Sequence, residues 1–198
     1  RSSDLAYHNS LMVHFWGALA TRDTRLMTHV LATHFPDRLT NATYATYIRC
    51  HDDIGWAIDD TDAYHLGFNG HEHRLFLADY YTGKFYGSEA RGADFQIDPV
   101  SKERRTCGSA ASLSGIEATE ARKDKQALQQ AINRYLCAYA MVFGFGGIPL
   151  LYMGDEIGLL NDSSYKKDKN KGVMMASRSL IALFRDINPT LLRRKERG

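Results

Sequence analysis

The residues best suited to chemistry in this sequence are a histidine and two adjacent carboxylates, His51, Asp52 and Asp53. They follow a run rich in Thr, Tyr and Ile, a composition that fits a half-buried strand. Polar groups at the carboxyl end of a strand are typical of active sites in α/β barrels, and these side chains can exchange hydrogen bonds with sugar hydroxyls. The same pattern fits a strand that enters a solvated Asx-turn, so spacing alone leaves both interpretations open.

A second apolar run, from Ile148 to Met153, also ends in carboxylates, at Asp155 and Glu156. Its continuous apolar character predicts a strand that is buried on both faces. The two carboxylates therefore follow the carboxyl end of a strand as well. For both of them we expect a structural role at the rim of the sheet.

Helical spacing of apolar residues predicts helices over 11–34, 72–81 and 121–145, and a last helix that contains Leu180 to Ile187. The stretch 83–115 is punctuated by Gly and Pro and is predicted to be an insertion that builds a lid or pocket wall. Alternating strands and helices imply parallel strands with right-handed crossovers. Two or three strands are too few for a closed barrel, which needs about eight.

Composition excludes several classes of partner and site. The chain has 198 residues, of which 44% are hydrophobic, and a net charge of +2, so neither nucleic acid nor a membrane surface is expected as a partner. Glycines and Pro149 interrupt the longest apolar stretch, which therefore does not indicate a membrane span. The spacing of Cys50, Cys107 and Cys137 indicates neither disulfides nor a zinc site, which favours a reducing compartment such as the cytoplasm.

Two segments, 48–53 and 147–158, resemble conserved regions of the α-amylase superfamily (glycoside hydrolase family 13) and, within it, the amylosucrases. The resemblance extends from Tyr7 to Lys171, and it is carried by Leu19–Arg22, His51–Trp56, Ala90–Gly92, Phe95–Gln96, Gly154–Glu156 and Leu160–Asp162. It implies the C-terminal portion of a TIM (β/α)8 barrel, from about strand 7 to helix 8. Residues 1–198 would form part of the catalytic domain, with 57–120 as an inserted loop that lines the active-site mouth.

The resemblance also implies roles for individual residues. Asp52 would be a catalytic carboxylate that stabilises the transition state, and His51 would donate to the same sugar ring. Asp53, Arg105 and Gln96 would bind substrate, although a solvated surface charge is an equal alternative for Arg105. The nucleophile and the acid/base of a retaining mechanism would come from strands that are absent from this chain.

The function implied by the resemblance is that of a retaining glucosyltransferase. It would cleave sucrose and transfer glucose to an α-glucan or maltooligosaccharides, without a cofactor. No metal is expected either, since His71 and His73 supply only two imidazoles in a polar segment. The chain alone should be inactive, because the missing N-terminal barrel half is needed for activity. Two alternatives remain at this point, which are another hydrolase of the superfamily (α-glucosidase or α-amylase type) and a non-catalytic sugar-binding piece.

Overall fold

The computed structural model describes residues 4–35 and 39–162. The chain divides into two units after residue 161, and the elements described belong to the first unit. Its strands are β1 (Leu5–Tyr7), β2 (Thr43–Thr46), β3 (Ala93–Phe95), β4 (Arg105–Cys107) and β5 (Ile148–Pro149). Its helices are α1 (Asn9–Thr21), α2 (Arg25–His34), α3 (Asp60–His65), α4 (Gly70–Tyr81), α5 (Ala110–Leu113), α6 (Ile116–Ala121) and α7 (Lys125–Phe145), and a short 3-10 helix spans Asp155–Ile157.

The central sheet has three parallel strands in the order β1-β2-β5. Tyr7 is paired with Ala45, which is paired in turn with Ile148, so these three residues form one row on one face of the sheet. On the opposite face the Thr46 hydroxyl donates to the Val142 carbonyl oxygen of α7 at 3.2 Å. The predicted parallel arrangement of the two main strands is confirmed. The prediction that the second strand is buried on both faces is wrong, because Ile148 and Pro149 are exposed.

The first predicted helix is two helices in the structure. Its predicted end near His34 is confirmed by α2, but α1 ends at Thr21. Arg22 then adopts a left-handed conformation with φ 58°, which a continuous helix does not allow. The Thr21 hydroxyl helps to close α1, because it donates to the Gly17 carbonyl oxygen at 2.9 Å.

Two segments whose composition predicts loops contain regular structure. Residues 59–70 include α3, whose first turn is capped by Asp59 through the amides of Thr61 and Asp62. The stretch 83–115 contains an antiparallel hairpin of β3 and β4 and then α5. Short elements of three to six residues carry too little periodicity to be recognised in a sequence.

The core lies where α1, α4, α7 and the residues after β2 meet. Trp16, Ile48, Leu77 and Tyr81 are among its fully buried side chains, and the Tyr81 hydroxyl donates to the Trp16 carbonyl oxygen at 2.5 Å. Within the described ranges, no helix combines the length and the apolar character needed to cross a bilayer. The lysine-rich segment 163–171 and the predicted last helix lie outside the described residues.

Candidate functional site

Residues 47–56, which follow β2, form the segment that carries the predicted site, and we call this segment the site loop. Tyr47 and Ile48 continue from β2 as buried residues, and the Trp16 indole of α1 donates to the Ile48 carbonyl oxygen at 2.7 Å. The far end of the loop is attached to β4, since Ile54 and Thr106 exchange two backbone hydrogen bonds of 2.9 Å. The site loop is therefore held at both ends by buried contacts.

A second buried contact fixes the same end of the loop. The Trp56 indole donates to the Thr106 hydroxyl at 3.0 Å, and its ring stacks on Tyr81 with centroids 5.3 Å apart. Gly55 lies beneath the neighbouring Arg105, because a Cβ atom built on Gly55 would stand 3.5 Å from the Arg105 Nε. Through β4, these contacts bring Arg105 beside the site loop although 50 residues separate Arg105 from Gly55 in sequence.

Asp52, Asp53 and Arg105 come together on the exposed side of the loop, and we call these three residues the polar cluster. Asp52 Oδ1 lies 3.6 Å from Arg105 Nη1 and accepts from the Asp53 amide at 3.1 Å. The Asp52 side chain is 61% exposed, so this pair is solvated. Partial burial raises the pKa of Asp53, and the Asp52 charge raises it further, while Arg105 and Arg49 lower it.

The other two predicted site residues have different neighbours. His51 is exposed, and its ring centroid is 6.3 Å from that of Tyr7 on β1. Gln96 adopts a left-handed conformation with φ 49° after β3 and lines a cavity of about 280 Å³ beside Arg105. Arg105 thus contacts Asp52 and shares a cavity wall with Gln96, whereas His51 lies beside Tyr7 of β1.

Charged groups already occupy much of that cavity wall. Glu103 accepts from Arg74 Nε at 2.8 Å and contacts His71 Nδ1 at the same distance. Arg104 donates to the carboxylates of Asp94 and Asp79. Among the cationic residues that line the cavity, Arg105 has the longest carboxylate contact, the one with Asp52. The site can hold a small anionic or hydroxylated group near Arg105.

A buried group of charged and phenolic residues next to the site loop was missed from the sequence. Arg49 Nη1 lies 3.6 Å from Asp155 Oδ1, and the Arg49 guanidinium stacks over the Tyr152 ring at 4.5 Å. The Tyr139 hydroxyl donates to the Asp155 carboxylate, and the Tyr135 hydroxyl donates to the Asp155 carbonyl oxygen. Burial is the main cause of a raised pKa for Asp155.

This arrangement gives Asp155 a structural role, in line with the expectation for that residue. Its carboxylate links Tyr139 of α7 to Arg49 of the site loop. The signal in the sequence was the pair of tyrosines four residues apart on the apolar stripe of α7, which were expected only to fill the core.

The histidines of the segment 71–73 do not share a ligand. His71 contacts Glu103, whereas His73 packs against Phe68 and Phe76, and burial lowers the pKa of His73. In the described part of the chain, no group of three or more His, Cys, Asp or Glu side chains has a geometry that would hold a metal ion.

The face of the sheet that lies opposite the helices is the second candidate surface. Leu5, Tyr7 and Ile148 point to this side and are 51%, 54% and 53% exposed. We call these three residues the open face. Parallel sheets are almost always covered on both faces, so an apolar open face of this kind is a candidate binding surface.

The comparisons with known proteins give no family for the chain as a whole. No family model matches it. Short stretches are similar to Protein sda1 of Schizosaccharomyces pombe (61% identical over 41 residues) and to Protein SDA1 homologs of Nematostella vectensis (61% over 41) and Caenorhabditis elegans (66% over 41). Each alignment covers 20% of this chain and 5–6% of the relative. The chain therefore spans only a small part of these curated relatives, and most of the chain lies outside each alignment.

These relatives contradict the family resemblance. The interpretation of the chain as part of an amylosucrase-like glucosyltransferase of glycoside hydrolase family 13 is wrong, because the relatives are Sda1 proteins and none of them is named as a glycoside hydrolase. The other superfamily hydrolases and the sugar-binding piece are excluded on the same ground. The prediction of sucrose, α-glucan and a missing catalytic half-barrel as partners is wrong for the same reason.

The structure gives a physical reason why the motif at His51, Asp52 and Asp53 led to the wrong family. Asp52 accepts from the amide of the next residue and lies beside Arg105 in solvent, which fits the solvated-turn interpretation of the same residues, although the bond does not reach the amide two residues on that defines an Asx-turn. A strand followed by a polar turn thus produces the same short pattern with or without a catalytic role. The names of the relatives do not test whether His51, Asp52, Asp53, Gln96 and Arg105 contact a ligand, and that stays a prediction.

Proposed function

We propose that the protein acts by binding another polypeptide and not by catalysis, and that it does so through the open face and the adjacent edge of β1. The observation that carries this proposal is that Leu5, Tyr7 and Ile148 are about half-exposed on one face of a parallel sheet, on either side of the buried Ala45. Burying such side chains contributes about 1.5–3 kcal/mol each for a fully buried large apolar residue. A polypeptide layer over the open face is the cover that parallel sheets normally have.

The backbone of β1 adds hydrogen-bonding groups to this surface. The amide of His8 donates to Ala45 and the carbonyl oxygen of Asp4 accepts from Thr43, so alternate residues of β1 face β2. The amides and carbonyl groups of Leu5 and Tyr7 must then point away from β2. An extended segment can pair with such an edge and bury its own apolar side chains at the same time.

The opposite edge of the sheet is less suited to strand addition. The Leu150 amide donates to the Thr46 carbonyl oxygen at 2.8 Å, which places the backbone of Pro149 towards the outside of β5. Proline has no amide hydrogen to donate there, and edge strands commonly carry it for that reason. We therefore assign the partner to β1.

The fold class expected from the sequence, the C-terminal portion of a (β/α)8 barrel, stays a prediction and is the alternative to a separate partner on this edge and face. Further parallel strands beside β1 would continue a sheet that has helices on one face only, as in the C-terminal portion of a (β/α)8 barrel. The open face would then point to the barrel interior, where apolar side chains fill the space. Residues 57–120 would remain an insertion at one end of that sheet.

The names of the relatives support a binding role in a limited way. None of the three Sda1 proteins carries an enzyme name. The polar cluster gives an independent argument, because Asp52 lies in solvent beside Arg105 of β4. Enzyme sites usually bury most of a small ligand.

Hydrogen exchange of the β1 amides tests the proposal. The protein should be isolated gently from the cells that make it, and compared with the same protein purified alone after dissociation. We expect the amides of Leu5 and Tyr7 to exchange quickly in the isolated protein and slowly in the assembly. The amide of His8, which is bonded to Ala45, should be protected in both and serves as the internal control. Equal, fast exchange of Leu5 and Tyr7 in both preparations would overturn the proposal.

A further inference from the structure

The cavity beside Arg105 is lined by charged side chains of both signs. Its volume is about 280 Å³, close to the lower end of the range for small-molecule pockets. We call this space the charged cavity, and its lining residues are Trp56, Arg74, Gln96, Glu103, Arg104 and Arg105. A molecule that enters the charged cavity therefore meets guanidinium groups and a carboxylate within one small space.

Two of the three arginines are already neutralised by the protein. Arg104 donates to the carboxylates of two aspartates, and its side chain is 10% exposed. Arg74 donates to Glu103 at 2.8 Å and to Asp60 at 2.7 Å, and its side chain is 16% exposed. These two guanidinium groups hold the walls of the charged cavity together and have little capacity for a further anion.

Arg105 is the cation of the charged cavity that can take a ligand. Its contact with Asp52, from Nη1 to Oδ1, is 3.6 Å long and therefore longer than a hydrogen bond, and its side chain is 40% exposed. Its position is fixed, because Arg105 pairs with Phe95 of β3 while the adjacent Thr106 pairs with Ile54. A guanidinium group binds a carboxylate through two parallel hydrogen bonds. Arg105 is thus held in place for a carboxylate ligand.

Glu103 is the anion of the charged cavity. Arg74 Nε and His71 Nδ1 both contact its Oε1, each at 2.8 Å. The contact with His71 is the main cause that lowers the pKa of Glu103, so the carboxylate is ionised at pH 7. The Glu103 side chain is 33% exposed, and the two contacts leave Oε2 able to accept from a cation.

We propose that the charged cavity binds a free α-amino acid, whose carboxylate pairs with Arg105 and whose ammonium group donates to Glu103. An α-amino acid carries both charges on one carbon atom, and the two charged side chains are only two positions apart in the chain. A ligand with a single charge would match one of these side chains and not the other. This site does not rest on the polypeptide interface proposed above, because the three residues of the open face are not among its lining residues.

The test uses L-alanine as the probe, with propanoate and ethylamine as matched controls that lack the ammonium group and the carboxylate respectively. Binding to the full chain at pH 7 is measured by ligand-detected NMR titration. We expect saturable binding of L-alanine that is at least about tenfold tighter than that of either control, the ratio for one net hydrogen bond between charged groups. No saturable binding of L-alanine, or equal affinity for L-alanine and propanoate or ethylamine, would overturn the proposal.

One variant locates the binding. Arg105→Gln should weaken L-alanine binding by about tenfold or more, and it should leave the affinity for ethylamine unchanged, since the ammonium group is assigned to Glu103. Arg122→Gln is the matched control, because Arg122 pairs with Glu89 and does not line the charged cavity. This control should bind L-alanine like the unaltered chain. Undiminished binding by Arg105→Gln, with its circular dichroism unchanged, would place the probe elsewhere and refute the site.

Discussion

At the scale of single residues, burial decides what a polar side chain can do in this protein. Asp52 and Asp155 both follow a predicted strand, yet the first is solvated beside Arg105 and the second is buried beneath Tyr139. The same carboxylate is therefore a solvated surface charge in one place and a fixed structural group in the other. Sequence position alone does not separate the two cases.

Replacing each of these carboxylates by alanine should expose that difference. We expect Asp155→Ala to lower the free energy of unfolding by about 2–3 kcal/mol, because it leaves the Tyr139 hydroxyl and Arg49 without their partner. Asp52→Ala should change it by no more than about 1 kcal/mol, as expected for a solvated pair. Urea denaturation of both variants measures the difference, and equal losses would show that Asp155 does not hold α7 to the site loop.

His14 should make the stability of the protein depend on pH. It is buried on α1, and burial is the main cause that lowers its pKa to about 4, against the opposing effect of Asp62. Between pH 6.5 and 4 the unfolded chain holds a proton that the folded chain does not. This contribution to stability is therefore complete above about pH 6.5 and declines as the pH falls towards 4, by roughly 3 kcal/mol at one pKa unit per 1.36 kcal/mol.

The variant His14→Gln should remove that part of the pH dependence. Unfolding by urea at pH 7 and pH 5 measures it, with the exposed His51→Gln as control, which should keep the dependence of the unaltered chain. The assignment to His14 fails if His14→Gln loses as much stability as the unaltered chain between the two pH values.

At the scale of elements, long periodic segments were predictable and short ones were not. The sequence predicted a helix over 121–145, and α7 occupies Lys125–Phe145, because its apolar stripe repeats over many turns. The strand after residue 42 was recognised, but its regular part ends at Thr46, since the following residues are held by Trp16 and Thr106 and not by a neighbouring strand. Such tertiary contacts leave no periodic signal in the sequence.

The site was predictable in part for the same reason. Asp52 and Asp53 are neighbours in sequence, whereas their contact with Arg105 depends on two hydrogen bonds between Ile54 and Thr106. No pattern in the sequence predicts the pairing of Ile54 with Thr106. The expectation for Arg105 came from a family resemblance that the relatives contradict.

Proline substitutions in β1 should separate the inner and outer sides of that strand. Leu5→Pro removes an amide that points away from β2, so we expect a change of no more than about 1 kcal/mol in the free energy of unfolding. Ala6→Pro removes an amide that faces β2 and should cost about 2 kcal/mol more. Thermal or urea unfolding of the two variants gives the comparison. If both lose the same stability, the orientation inferred for the edge of β1 is wrong.

At the scale of the whole molecule, the described part of the chain has helices on one side of its sheet and apolar side chains on the other. A core forms between the helices and the sheet, around Trp16 and Tyr81, and none of the three residues of the open face belongs to it. Tyr7 contacts the core residue Tyr47 edge to face at 5.4 Å, so substitutions of the open face affect the core at this one contact. This limited contact makes the proposed interface testable apart from folding.

The double variant Tyr7→Lys with Ile148→Lys places two charges in one row of the open face. Without its partner, the unaltered chain should self-associate through this surface, because exposed sheet edges and apolar patches attract one another. The double variant should stay monomeric and should no longer bind the partner in the assembly, while its unfolding midpoint changes little. Val100→Lys carries the same kind of substitution at an exposed site off the sheet and should behave like the unaltered chain. Sedimentation velocity over a range of concentrations measures the self-association of the unaltered chain, the double variant and Val100→Lys. Association that persists in the double variant would show that the open face is not the surface through which this protein binds.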